Sequence, residues 1–341
     1  MKDAFRARAF GLVVVMIAST LVPVLVAGQA GSSATSAGTK APAARAAWKV
    51  ARTPWGDPDL QGMWSYASLT PLERPAALAG REFFTADEAA TRNVEATQDR
   101  PPAPGDPGAY NAHWFDRGTV TPDRRTSLIV DPPDGRLPLT EAARKKLAAR
   151  AAHRREHPAD SWLDRTPWDR CITYHGVPPL STGYNNTYQI FQTREYVAIY
   201  VENIHDVRII PIDGRPRLTD TVRQWNGSSR GRWEGDTLVV ETTNYSDQTE
   251  MRFPASQHTR AVERFRRMSN DLIESQFTIE DSTLYTKPWT AVRPMPRLTD
   301  YQIFEYACHE ANYAMPNILA GERTREKAAA AAQTSSAAPG R

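Results

Sequence analysis

The chain has 341 residues, and its 42 basic and 39 acidic side chains leave a formal net charge of +3. That near-balance excludes a polyanion binder driven by bulk charge. The basic excess collects in one helical stretch, Arg144, Lys145, Lys146, Arg150, Arg154 and Arg155, with no interleaved aromatic to stack on bases, so we read a solvated helix face and expect no nucleic-acid partner.

In chain order, the first signal is Lys2, Arg6 and Arg8 ahead of an apolar run over 10–26, followed by the small-residue exit Ala27-Gly28-Gln29-Ala30. This is the pattern of a secretory signal peptide over 1–30, which places the mature chain in the periplasm or outside the cell. A retained membrane anchor is the competing reading, but Pro23 and the Gly28-x-Ala30 exit favour cleavage. No second stretch could span a bilayer, so no stable membrane span is expected after cleavage. The run over 31–47 is Ala, Ser, Gly and Thr with almost no large apolar side chain, and reads as a disordered linker.

From 48 to 160 the sequence is rich in Pro, Arg, Ala and Asp and reads as an N-terminal arm. Thr85-Ala86-Asp87-Glu88 is a capping box opening a short helix, and Thr140 can cap a second helix running to about His157. From 161 to 322 strand signals follow in series, over 188–193, 196–202, 207–212, 230–233, 237–243, 259–267, 272–280 and 301–308. Glu234-Gly235-Asp236 makes a tight turn within the series. Short strands with hairpin-sized gaps and no helices between them predict an all-β fold, an antiparallel lipocalin-like barrel, with an open sandwich as runner-up. The segment 323–341 is an Ala-rich tail that could extend a helix or fray. No dinucleotide-binding or P-loop fingerprint occurs, and no cofactor is expected.

The two cysteines, Cys171 and Cys308, most simply form one disulfide in an exported protein. It would close a loop of about 137 residues, worth ~4–5 kcal/mol on the chain-entropy model. The alternative is a zinc site of Cys171, His175, Cys308 and His309; adjacent Cys308 and His309 would face opposite ways on a strand, so no metal is expected.

Several motifs recur together: Trp55-Gly56-Asp57-Pro58-Asp59-Leu60-Gln61-Gly62-Met63-Trp64, Trp114-Phe115-Asp116-Arg117-Gly118, Asp169-Arg170-Cys171, Tyr184-Asn185-Asn186, Asp213-Gly214-Arg215-Pro216, and Ser229-Arg230-Gly231-Arg232-Trp233-Glu234-Gly235-Asp236-Thr237-Leu238-Val239-Val240-Glu241-Thr242. In these the chain resembles a group of exported bacterial proteins. The resemblance covers about 48–323; it implies bacterial origin and export, and brings no reaction and no catalytic residues.

Candidate chemistry must therefore come from the residues. Strand alternation groups Tyr196, Ala198, Tyr200 and Glu202 on one face, with His205 just beyond and Arg208 on the next strand. A Glu beside a His at a hairpin turn can orient the imidazole, so His205 is a candidate acid–base group, Glu202 its partner, and Arg208 or Arg230 a stabiliser of negative charge. His309 and Glu310 are a rival pair. Glu263, Glu274, Glu280 and Glu305 complete the strand-borne carboxylates, and the sequence leaves open which pleat face points inward. Trp225, Trp233, Trp289, Tyr200 and Tyr306 are candidate substrate-binding aromatics, serving equally well as core. Trp114 and Arg117 would be lid residues if the arm covers the barrel mouth.

The reading is an exported enzyme without metal or cofactor, a lyase, isomerase or hydrolase using general acid–base chemistry on an apolar or aromatic small molecule in a barrel lumen. The alternatives are a lipocalin-like binding or carrier protein and an envelope structural protein.

Overall fold

The computed structural model describes residues 48–99, 112–174 and 176–336. The expected signal peptide and linker, and His175, lie outside the described residues. The elements in chain order are β1 (Gly62–Ser65), α1 (Ala86–Glu95), β2 (Ile129–Asp131), α2 (Glu141–Glu156), β3 (Thr187–Gln192), β4 (Tyr196–Val201), β5 (Asp206–Pro211), β6 (Ser228–Glu234), β7 (Thr237–Thr243), β8 (Arg260–Ser269), β9 (Leu272–Glu280), β10 (Trp289–Pro296) and α3 (Ala314–Ser336). Both expected caps form: Thr85 and Glu88 exchange side-chain-to-backbone bonds at the start of α1, and Thr140 accepts from the Ala143 N–H at the start of α2.

The strands pair into two antiparallel sheets, one of four strands in the order β1-β3-β4-β5 and one of six in the order β2-β10-β9-β8-β7-β6. Period-two alternation decides which side chains meet between them. On β9, Ile273, Ser275, Phe277 and Ile279 are buried, while Leu272, Glu274, Gln276, Thr278 and Glu280 form the outer face. Trp64, Tyr188, Ile190, Val197, Ile199 and Ile210 of the first sheet pack against Leu238, Val240, Phe265, Ile273 and Met295 of the second. A second apolar cluster of Phe277, Ile279, Trp289 and Ala291 includes Leu128, Leu137 and Ala143 from the N-terminal segment. Burying one such Leu, Ile or Phe side chain contributes about 1.5–3 kcal/mol.

A polar belt separates the two clusters. Inward positions run apolar, polar, apolar along three neighbouring strands: Ala261-Glu263-Phe265 on β8, Phe277-Ser275-Ile273 on β9 and Ala291-Arg293-Met295 on β10. Glu263, Ser275 and Arg293 are each 0% exposed. Arg208 reaches across from β5, placing Nη2 2.5 Å from Glu263 Oε2 and donating to Ser229 Oγ (2.8 Å) and Thr242 Oγ1 (2.7 Å). Burial pulls the Arg208 pKa down, and the Glu263 carboxylate more than offsets this, leaving it raised. Arg293 donates to the Pro179 carbonyl and lies 5.1 Å from the Tyr66 ring centre, where the π face suits a cation.

Three expectations change here. The strands form two sheets where one closed barrel was expected, because the ladder breaks on both flanks. Along β10, the Val292 N–H goes to Leu128 and the Leu298 N–H just beyond the strand goes to Met63; Pro294 and Pro296, at alternate positions between them, have no N–H to give. A single bridge, Trp64 to Arg297, joins β1 to this edge. At the other flank β6 meets β5 through side chains: a Cβ at Gly231 would lie 2.8 Å from Ile212 and 2.9 Å from Ile210, so only glycine permits the approach. Second, 301–308 is not a strand; the closing strand is β10, whose two prolines obscure its alternation. Third, the arm is part of the core, since it supplies β1, β2, Trp64 and Tyr66.

The buried ion pair generates a prediction. Arg208→Met should cost about 3–5 kcal/mol by stranding the Glu263 charge, and Glu263→Met a similar amount. The double variant should recover most of that loss in urea denaturation, because two apolar side chains leave no uncompensated charge.

Candidate functional site

The turn after β4 decides where the candidate acid–base groups point. Continued alternation would keep Glu202 on the outer face beside Tyr200. Glu202 instead takes helical angles (φ −58°, ψ −39°), and its side chain turns inward to 0% exposure. Ile204 (φ 56°) and His205 (φ 41°) are then left-handed, a conformation costing a non-glycine residue about 1–3 kcal/mol. The Tyr301 hydroxyl donates to Glu202 Oε1 at 2.6 Å, and Glu202 Oε2 is buried without a hydrogen-bond partner. Burial, then the bond to Glu202, raises the Tyr301 pKa.

His205 leaves the same turn in the opposite direction and is exposed. Its Nδ1 lies 2.7 Å from the Tyr306 carbonyl oxygen. A carbonyl can only accept, so Nδ1 is the donor in this bond; a neutral ring in this tautomer has its lone pair on Nε2. The group that orients His205 is thus the Tyr306 carbonyl. Glu202 does not do so, because the turn sends the two side chains apart.

Tyr306 lines a cleft of about 550 Å³, together with Trp168, Asp169, Asn185, Glu305, Cys308, Glu310 and Asn312. The Cys171–Cys308 disulfide ties the cleft's C-terminal wall to the segment carrying Trp168. Both cysteine sulfurs are therefore unavailable to zinc, and among the described residues no group of three His, Cys, Asp or Glu could hold a metal. The aromatic wall is layered: Tyr184 stacks on Tyr306 at 6.5 Å, Trp168 meets Tyr174 edge-on at 5.3 Å, and Trp168 Nε1 donates to Tyr306 Oη at 3.4 Å. Of the left-handed non-glycine residues, Asn185 lines this cleft, and Cys171 is bonded to Cys308 on its wall.

Of the other expected site residues, Arg208 is sequestered in the inter-sheet belt, and Trp289 is 0% exposed among Phe253, Phe277 and Tyr285. Trp233 is partly buried and packs on the cluster that holds Trp64 and Phe265. Arg230 donates to the Pro216 and Ser229 carbonyls, and the Arg170 guanidinium lies 5.6 Å from the Trp225 ring. Tyr200 is half-exposed on the outer face of β4. His309 is exposed beside Glu310, and the Arg117 guanidinium lies over Phe115 at 4.1 Å. The structure thus sets Tyr306, Glu310 and Cys308 around one cleft, brings His205 against the Tyr306 carbonyl, and places Arg208 and Trp289 in the interior with Trp233 packed against it. Comparison with family models, with curated proteins and with solved structures gave no match to this chain.

Sequence reasoning passed over Trp168, Tyr301 and Asp116 as site groups. Asp116 sits within the Trp114–Gly118 motif, is exposed, and is joined to the site through Asn186, whose side chain donates to the Asp116 carbonyl at 2.7 Å. Its pKa is raised by desolvation, a shift opposed by hydrogen bonding from Asn186 and reinforced by the Glu202 charge. A native pKa above the unfolded one means that ionisation costs stability as pH rises through that interval. Asp116→Asn should therefore raise the midpoint of urea unfolding at pH 7, with the gain shrinking toward pH 4. A gain independent of pH would show that carboxylate ionisation is not its source.

Proposed function

We propose that this is an exported small-molecule enzyme working at the disulfide-framed cleft, with His205 Nε2 as the proton-transfer group and Tyr306 and Trp168 as the surface for an apolar or aromatic substrate. The observation that carries this reading is the aromatic wall of one cleft, Tyr306 with Trp168, whose Tyr306 carbonyl also holds the His205 ring at 2.7 Å. An imidazole with its second nitrogen open suits isomerisation, elimination, cyclisation or hydrolysis, in which a proton leaves one substrate atom and returns to another. Glu310 and Glu305 on the cleft wall would receive a cationic or hydroxyl-bearing part of the substrate.

The expected barrel lumen is a weaker location. Glu202, Glu263, Arg293 and Trp289 are all 0% exposed, so packed side chains fill the inter-sheet space at their level. The two sheets, with the ladder between them broken on both flanks, would be a flattened and interrupted form of a lipocalin-like barrel, with the binding site displaced to its end. The disulfide supports a compartment outside the reducing cytosol, and with the N-terminal pattern it favours the periplasm. A carrier is the second reading, because layered aromatic walls also serve binding without turnover.

Protein recovered from the periplasm is expected to carry a low-mass organic adduct in native mass spectrometry, lost in Tyr306→Ala and kept in His205→Ala. With that compound added back, His205→Ala should turn it over more slowly by about 10²–10⁴-fold, the usual scale of general acid–base help. Binding with no turnover by the native protein would establish the carrier. An adduct undiminished in Tyr306→Ala would place the ligand elsewhere.

A further inference from the structure

A second cavity of about 550 Å³, sharing no lining residue with the disulfide-bordered cleft, lies between α2 and the segment after β7. Its geometry follows from the periodicity of α2. Ala143, Leu147 and Ala151 succeed one another at four-residue steps and form an apolar stripe, and Lys146, Arg150 and Arg154 form a parallel basic stripe one position back. Both stripes line the groove. The opposite wall supplies Met251 and Phe253, both buried, and Leu284 contributes beneath. The small side chains at 143 and 151 leave room beside the helix that larger apolar residues would fill.

The charges at the rim are organised. Arg154 holds Glu250 through two bonds of 2.8 Å, and Arg150 reaches the same carboxylate at 3.0 Å. Two guanidinium groups on one carboxylate leave a positive charge over, and Lys146 on the next turn is exposed with no ion-pair partner among the described residues. Arg252 and Asp247 also lie on the lining and balance each other in sign. The groove therefore presents an apolar floor under a net positive rim.

We propose that this groove binds a free single-chain amphiphile bearing one anionic head, a fatty-acid-like carboxylate, with its alkyl chain along Leu147, Met251 and Phe253 and its head beside Lys146 and Arg150. The site is independent of the proton-transfer cleft. The cavity volume is in the range of small-molecule sites, and apolar lining with a few placed charges is their usual composition. The basic run on α2 is then one wall of a binding groove as well as a solvated face.

The test is titration of the full mature protein with dodecanoate below its micelle concentration, read by isothermal calorimetry at low and high salt. Saturable one-to-one binding that weakens with salt is expected. Lys146→Glu should weaken it about five-fold or more, the scale of an exposed charge interaction once reversed, and Ala151→Phe should abolish it by filling the groove. Both positions are solvent-exposed, so unchanged thermal melts should verify that the variants fold. Dodecyltrimethylammonium, with the same tail and the opposite charge, should bind at least ten-fold more weakly. Equal affinity for the two detergent ions, no saturable binding of dodecanoate, or indifference to both substitutions would overturn the proposal. Sedimentation with phosphatidylglycerol vesicles that dodecanoate does not compete away would also overturn it, since the surface would then be reading a bilayer.

Discussion

The Arg208–Glu263 pair is the constraint around which the interior is arranged. A carboxylate on β8 of one sheet and a guanidinium on β5 of the other, both withdrawn from water, can coexist only if the sheets are held at one separation and one register. Ser229 and Thr242 take further guanidinium donors, so the cation is bound to β6 and β7 as well. Slippage of β8 by one residue would turn Glu263 to solvent and leave Arg208 buried alone. The apolar clusters on either side supply most of the favourable burial, and the belt between them selects one way of assembling it.

A comparable constraint governs the turn after β4. Glu202 is turned inward by a single helical residue at the end of a strand, and the left-handed pair Ile204 and His205 completes the reversal. The segment over 301–308 then crosses this turn, fixing Glu202 through Tyr301 and His205 through the Tyr306 carbonyl. The disulfide anchors that segment at Cys308, so a covalent link to the distant Cys171 bears directly on the imidazole's orientation.

Much of the fold was legible in the sequence. Runs of β-branched and aromatic residues gave β3, β4, β5, β7, β8 and β9, the caps at Thr85 and Thr140 gave α1 and α2, and cysteine parity gave the disulfide. β10 was hidden because Pro294 and Pro296 look like breakers unless one knows that they face a flank where few hydrogen bonds are required. The site was half-legible. His205, Tyr306 and Glu310 are local signals, whereas the His205 partnership spans 101 residues and depends on a backbone reversal that alternation cannot anticipate. The inward face of β8 could have been found by parity: Glu263 sits in step with Ala261 and Phe265, both wholly buried.

The prolines of β10 have a further consequence, for the molecule's behaviour in a crowded compartment. A strand whose outer edge is only partly covered, by β2 at one end and a single bridge to β1 at the other, would ordinarily offer a template on which a second chain could lengthen the sheet. An incoming strand meeting Pro294 and Pro296 finds no amide hydrogens to receive. The interruption that keeps the two sheets from closing thus also protects the flank it leaves open against edge-to-edge polymerisation.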